Sequence, residues 1–219
     1  VHNAPTRLVC LENTHNRAGG TIYPIEEIRR IRDFSKALGI RLHLDGARLW
    51  NASVATGIPP REYAQFFDSV SVCFSKGLGA PVGSALVGSE EVIQRARRFR
   101  KILGGGMRQA GIIAAGALYA LEHHIDRLKE DHEKARLFAE RVANNPVLGI
   151  DLKNVQTNIV VIDIARTGKS TGELLDLLRA NNVLLTDANY TSLRAVTHLD
   201  VTTEQVVRAA EIVAAAIRA

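Results

Sequence analysis

Two polar residues close otherwise apolar runs in this sequence: Asp45, in Ile40-Arg41-Leu42-His43-Leu44-Asp45-Gly46, and Lys76, in Val70-Ser71-Val72-Cys73-Phe74-Ser75-Lys76-Gly77. Each run reads as a buried strand and ends in a charged group followed by glycine, at the strand ends where ligands bind in α/β folds. A carboxylate and an amine so placed do little for stability and can do chemistry. They match two demands that pyridoxal 5'-phosphate makes on a protein, a carboxylate that keeps its ring nitrogen protonated and a lysine that condenses with its aldehyde. Lysine is a nucleophile only when deprotonated, which burial near other cations favours. The two residues stand 31 positions apart, room for a crossover helix between parallel strands. The competing structural readings are Asp45 as a helix N-cap after a strand and Lys76 as a solvated loop residue.

Five segments carry a resemblance. Leu11–Asn16 (LENTHN), Leu44–Arg48 (LDGAR), Ser75–Gly83 (SKGLGAPVG), Gly104–Gln109 (GGGMRQ) and Val196–Asp200 (VTHLD) resemble, in order, the motifs of the low-specificity L-threonine aldolases. These are pyridoxal phosphate enzymes with the aspartate aminotransferase type of fold. The family's chain has a further N-terminal part that supplies a phosphate-binding turn and an aromatic residue stacked on the cofactor. This sequence opens at Val1 without methionine, so the resemblance implies an N-terminally truncated chain.

The resemblance implies roles for several residues. Lys76 and Asp45 would hold the cofactor, and Arg108, after the Gly104–Gly106 run, would approach a neighbouring subunit's cofactor phosphate in a homo-oligomer, a tetramer with shared sites. A hinge is the competing explanation of that glycine run. Arg48 and Arg194 would grip the substrate carboxylate, which a planar guanidinium can hold with two parallel hydrogen bonds. A salt bridge to Asp45 and a solvated strand edge are their bland alternatives. His2 matches the position of an active-site histidine, and imidazole titrates near neutrality; beside a chain end it can equally be a surface group. The implied reaction is retro-aldol cleavage of L-threonine or L-allo-threonine to glycine and acetaldehyde. Two alternatives stand beside it, β-elimination from an amino acid by a related lyase and a noncatalytic oligomerisation or binding fragment.

The elements that must position these residues alternate between strand and helix. Arg7–Leu11 reads as a strand, Pro24–Leu38 as a helix with apolar residues at helical spacing, and Ile40–Leu44 as the next strand, together a βαβ unit. Ser69–Phe74 and Ser84–Val87 follow as strands, the latter antiparallel or at an edge. Residues 109–143 read as one long helix, apolar and then amphipathic. Beyond it a smaller set follows: strands at Asn158–Ile164, Val183–Leu185 and Ser192–Val196, with helices at Thr171–Ala180 and Thr202–Ile217. The expected fold is α/β, with residues 1–125 forming part of a three-layer large domain on a mostly parallel sheet and residues 126–219 a smaller C-terminal α/β domain.

Composition narrows the class. The chain has 219 residues, 46% of them apolar and 23% charged, as in ordinary globular proteins. The net charge is +5 but aromatics make up only 5%, and none interleaves with the basic run at Arg95–Lys101 as a nucleic-acid stacking platform requires. An anionic cofactor and an amino acid suffice as partners, with no nucleic acid and no membrane expected. Two cysteines, Cys10 and Cys73, make neither a disulfide framework nor a metal site. Both read as reduced core residues of a cytoplasmic protein. His123, His124 and His132 lack a carboxylate ligand pattern and read as surface residues rather than zinc ligands.

Overall fold

A computed structural model describes residues 4–217. The chain divides into two units, one built from the residues up to Thr14 with Tyr23–Asp126, the other from His15–Ile22 with the chain from Arg127 onward.

The first unit holds a four-stranded sheet in sequence order, β1 (Leu8–Glu12), β2 (Arg41–Gly46), β3 (Ser69–Cys73) and β4 (Ser84–Gly88). β1, β2 and β3 run parallel and β4 pairs antiparallel with β3. The connections are α1 (Ile25–Ala37), then α2 (Leu49–Thr56) and α3 (Pro60–Ala64). Alternation along the strands gives the sheet two unlike faces. Leu42, Leu44, Val70 and Val72 are buried, as are Ile28, Leu49 and Tyr63 of the three helices. The opposite face carries the register row Glu12, Asp45, Ser71, Leu86 and the row Cys10, His43, Ser69. There His43 Nδ1 and Ser69 Oγ are 2.8 Å apart. Cys10 is exposed and Cys73 half-buried, so neither is the core residue that its apolar neighbours imply; odd-numbered and even-numbered positions of a strand face opposite ways.

α4 (Glu90–Ile102) and α5 (Gly111–His123) complete this unit. The expected single helix over 109–143 is two helices, α5 and α6 (Leu128–Val142). No proline or glycine breaks it. At the break His124 Nδ1 lies 2.6 Å from the carbonyl oxygen of Leu78 in the first unit. Arg127 then starts the second unit by donating to both carboxylate oxygens of the fully buried Asp131 at 2.6 and 3.1 Å. Local tethers override helix propensity there.

The second unit packs α6, α7 (Thr171–Ala180) and α8 (Thr203–Ala216) with an antiparallel sheet in the order β5 (Ile159–Asp163), β7 (Ser192–Val196), β6 (Thr186–Asn189). Its core joins Phe138, Ala139 and Val142 to Val160, Ile162, Leu193 and to Leu174, Val206 and Val213. Ser170 with Glu173 and Thr202 with Gln205 form capping boxes that start α7 and α8, each satisfying otherwise orphaned N–H groups. The hairpin strand falls at Thr186–Asn189 rather than at Val183–Leu185: Val183 is buried and its N–H bonds the Leu178 carbonyl, closing α7 instead of joining the sheet.

A Cβ on Gly46 would stand 2.8 Å from the Ser71 carbonyl oxygen and 3.2 Å from Leu49 Cβ, so Gly46→Ala should force β2 from β3 and lower stability by about 1–3 kcal/mol, measured by urea unfolding. Burial pushes the His132 imidazole down to about 4 against the opposing pull of Asp131. Between its ordinary 6.5 and that value the unfolded chain binds a proton that the folded chain does not. Stability therefore falls as pH drops through this window. Tm should decline from pH 7 to pH 4, and His132→Asn should flatten part of that slope.

Candidate functional site

β2 and β3 bring the first two candidate residues to adjacent strand ends. Asp45 pairs in register with Ser71, and Lys76 lies just beyond Cys73, the last residue of β3. Asp45 is exposed on the polar face of the sheet, not buried, and Lys76 is half-buried. The Ala47 N–H donates to Asp45 Oδ1 at 3.0 Å, so this carboxylate orders the turn into α2, whose N-cap position is Arg48. The structural and chemical readings of Asp45 share one side chain. Arg48 is half-buried in the same turn.

The loop after β3 is held by its own backbone. Phe74 donates to Gly83, Ala80 to Phe74, and Gly79 to Lys76, all between 2.8 and 3.0 Å. Gly79 and Gly83 take φ of 69° and 120°, values that disfavour a side chain. Leu78 within the loop is fully buried. Lys76 is thus carried on a fixed turn.

The Glu12–His15 stretch, within the Leu11–Asn16 segment, looks site-forming in the sequence, with ordering of the loop to Gly20 as its structural alternative. The structure adds specific bonds. Asn13 is fully buried, its N–H donates to the Asp45 carbonyl at 3.0 Å, and its Oδ1 accepts from Tyr23 N–H at 3.2 Å. Asn13 Nδ2 and Thr14 Oγ1 are buried with no hydrogen-bond partner among the described residues. Unsatisfied buried polar atoms call for an explanation. Here they stand at the end of β1, next to the strand that bears Asp45. A carboxylate, an amine and unsatisfied polar groups on three adjacent strand ends fit a cofactor that needs an acid partner, a nucleophilic amine and polar contacts.

Arg108 is exposed, after a glycine run that folds back on the last turn of α4. The Gly105 N–H donates to the Arg100 carbonyl at 2.8 Å, and a Cβ on Gly106 would lie 2.6 Å from Lys101 Cδ. Those glycines have a local packing role. Arg194 belongs to the second unit, on β7, with Nε donating to Thr186 Oγ1 at 3.2 Å and Nη1 to Asn16 Oδ1 at 2.9 Å. The partner Asn16 is 178 positions away, a distance at which spacing carries no signal. His2 lies outside the described residues. Among the described residues no cluster of His, Cys, Asp and Glu could hold a metal ion.

The sequence matches the model of the beta-eliminating lyases over residues 1–166. It is 44% identical over 202 residues to low-specificity L-threonine aldolase 1 of Arabidopsis thaliana, covering 92% of this chain and 56% of that protein. It is 42% identical over 210 residues to the low specificity L-threonine aldolase of Escherichia coli K12, covering 96% and 60%. The fold matches the solved threonine aldolase of Leishmania major with a TM-score of 0.76 at 18% identity, over 96% of this chain and 61% of that one. The chain thus spans little more than half the length of the relatives it matches. With the family's model covering both strand ends that carry Asp45 and Lys76, the chain belongs to the beta-eliminating lyase family.

Proposed function

We propose that this chain is the greater part of a pyridoxal phosphate-dependent aldehyde-lyase that cleaves L-threonine and L-allo-threonine to glycine and acetaldehyde. The observation that carries the reading is its 44% identity to a named threonine aldolase over 92% of its length. When bound, the cofactor supplies an electron sink for the pair released at Cα. Lys76 would hold the cofactor through Nζ at its aldehyde, and the Asp45 carboxylate would favour a protonated ring nitrogen. Arg48 and Arg194 take the substrate carboxylate and so set which bond at Cα is oriented for cleavage. His2 would accept the β-hydroxyl proton as the Cα–Cβ bond breaks, so that the hydroxyl oxygen leaves as the aldehyde carbonyl oxygen, the pair stays at Cα, and a proton returned to Cα gives glycine.

The family's description favours a second reading, β-elimination, which the same lysine, carboxylate and arginines would serve. Products separate the two. With pyridoxal phosphate and threonine, the chain should release glycine and acetaldehyde in equal amounts, and borohydride should fix the cofactor to the peptide containing Lys76. Lys76→Ala should remove both signals, and Arg48→Lys should raise KM about tenfold or more. Ammonia and an oxo acid would identify an eliminase. A folded chain that traps no cofactor would be the noncatalytic fragment.

A homotetramer with shared sites, Arg108 of one copy serving the cofactor phosphate of another, is part of the same reading. It is supported by the exposed Phe99, Ile102, Leu103, Met107 and Ile112, large apolar side chains close in sequence of the kind that association covers. α4 buries none of its residues. Light scattering should give four times the chain mass, and Phe99→Glu with Ile102→Glu should lower it. The cytoplasm is the proposed location, since the free thiols of Cys10 and Cys73 suit a reducing compartment. Among the described residues no helix is long and apolar enough to cross a membrane.

A further inference from the structure

The loop His15–Ile22 lies early in the sequence yet belongs to the second unit. It is closed on itself by His15 N–H to the Thr21 carbonyl and Gly20 N–H to the His15 carbonyl, both at 2.9 Å, and by Ala18 N–H to His15 Nδ1 at 3.0 Å. Two bonds fasten it beside β5: Thr157 Oγ1 donates to the Gly20 carbonyl at 2.6 Å, and Ile22 N–H to Gln156 Oε1 at 2.8 Å. The seat is close. A Cβ on Gly20 would meet Thr157 Oγ1 at 2.7 Å and Ile159 Cβ at 3.1 Å, and one on Gly19 would meet Val161 Cγ2 at 3.2 Å. Both glycines have positive φ, 83° and 75°, so conformation and space each exclude side chains there.

Val161 is the register partner of Arg194, and Arg194 that of Thr186. A loop seated on Val161 is therefore beside Arg194. Asn16 Oδ1 receives Nη1 at 2.9 Å and Thr186 Oγ1 receives Nε at 3.2 Å. Both acceptors are neutral. Among the described residues no carboxylate lies within ion-pair distance of this guanidinium, in contrast to Arg32 with Asp68 at 2.8 Å and Arg127 with Asp131 at 2.6 Å. Neutral acceptors fix the plane of a guanidinium and leave its charge uncompensated.

We propose that Asn16, carried on the loop clamped to β5, is a positioning residue that holds the Arg194 guanidinium oriented and uncompensated for a substrate carboxylate. This rests on the assignment of Arg194 to that carboxylate. The loop's two glycines and Thr157 support Asn16, and Asn16 acts through Arg194 without touching substrate.

Two measurements on the full chain test it. In the absence of cofactor, the Nη1–H resonance of Arg194, assigned with Arg194→Lys, should exchange slowly with water, and Asn16→Ala should speed that exchange about tenfold, the loss of one charge-assisted bond. Equal exchange in the two proteins overturns the proposal. With pyridoxal phosphate added, glycine and methylamine, which lacks the carboxylate, are titrated against the cofactor absorbance. Asn16→Ala should weaken glycine about tenfold and leave methylamine unchanged. The isosteric Asn16→Asp should keep the resonance slow yet still weaken glycine, because it neutralises the guanidinium. Variants that bind glycine as the wild type does, or lose glycine and methylamine alike, overturn the proposal alone. A wild-type chain that does not prefer glycine to methylamine overturns the assignment of Arg194 itself, and the proposal with it.

Discussion

The two hydrogen bonds of Asn13 are the constraint on which the strand end at Asp45 and the two ends of the His15–Ile22 loop depend. One, from its N–H to the Asp45 carbonyl, extends the β1–β2 ladder a residue past the end of β1 and so fixes the strand end that bears the carboxylate. The other, accepted by its Oδ1 from Tyr23 N–H, closes the chain where it returns to the first unit. Between these bonds the chain leaves to form the His15–Ile22 loop. One fully buried asparagine thus sets the register of Asp45 and the two ends of the segment that carries Asn16. Burial makes the arrangement stringent, since an amide taken from water without partners costs about 1–3 kcal/mol in proteins.

The sheet shows how a charged group can stand at a strand end at little cost. Asp45 shares its face with Glu12 and Ser71, while its neighbours Leu44 and Gly46 face the core. Its carboxylate is exposed and accepts a backbone N–H at the turn into α2. The carboxylate avoids most of the desolvation penalty that a buried ion would carry. By contrast, Asp68 is drawn into structure. Burial raises its pKa, but hydrogen bonds from the Leu42 N–H and Arg32, and the charges of Arg32 and Arg41, outweigh that and hold it below the usual carboxylate range. Asp68 is committed to fastening α1 to β2, and Asp45 is left accessible.

Much of this was legible in the sequence because it depends on short-range pattern. The βαβ alternation, the strand ends at Asp45 and Lys76 and the antiparallel β4 all follow from periodicity and from glycine placement. What could not be read depends on which elements meet in space. The run around Cys10 is apolar enough to look buried, yet the residue faces the open side of β1. The apolar-to-amphipathic stretch over 109–143 has no proline or glycine at residues 124–127, where it is interrupted, and the break goes with bonds to Leu78 and within Arg127–Asp131. The Gly19–Gly20 pair announces a turn, but that the turn is seated on β5 follows from Thr157, Ile159 and Val161, residues far along the chain.

Arg194 shows why such long-range pairing matters for chemistry. A lone arginine on a strand edge samples many rotamers, and ordering it costs up to about 2 kcal/mol of side-chain entropy. If a ligand had to supply that ordering, its carboxylate would bind correspondingly more weakly. Fixing the side chain with a carboxylate partner would remove the entropic cost but also the charge, as happens to Arg127 beside Asp131. Thr186 Oγ1 and Asn16 Oδ1 order it without neutralising it. Thr186 comes from the adjacent strand, where register alone supplies it. The second acceptor must come from outside the sheet, and a glycine-rich loop is the element that lies close enough to β5 to provide one. The early loop and the late arginine are thereby joined by one hydrogen bond, which under the proposed role of Arg194 makes them parts of one carboxylate-binding device.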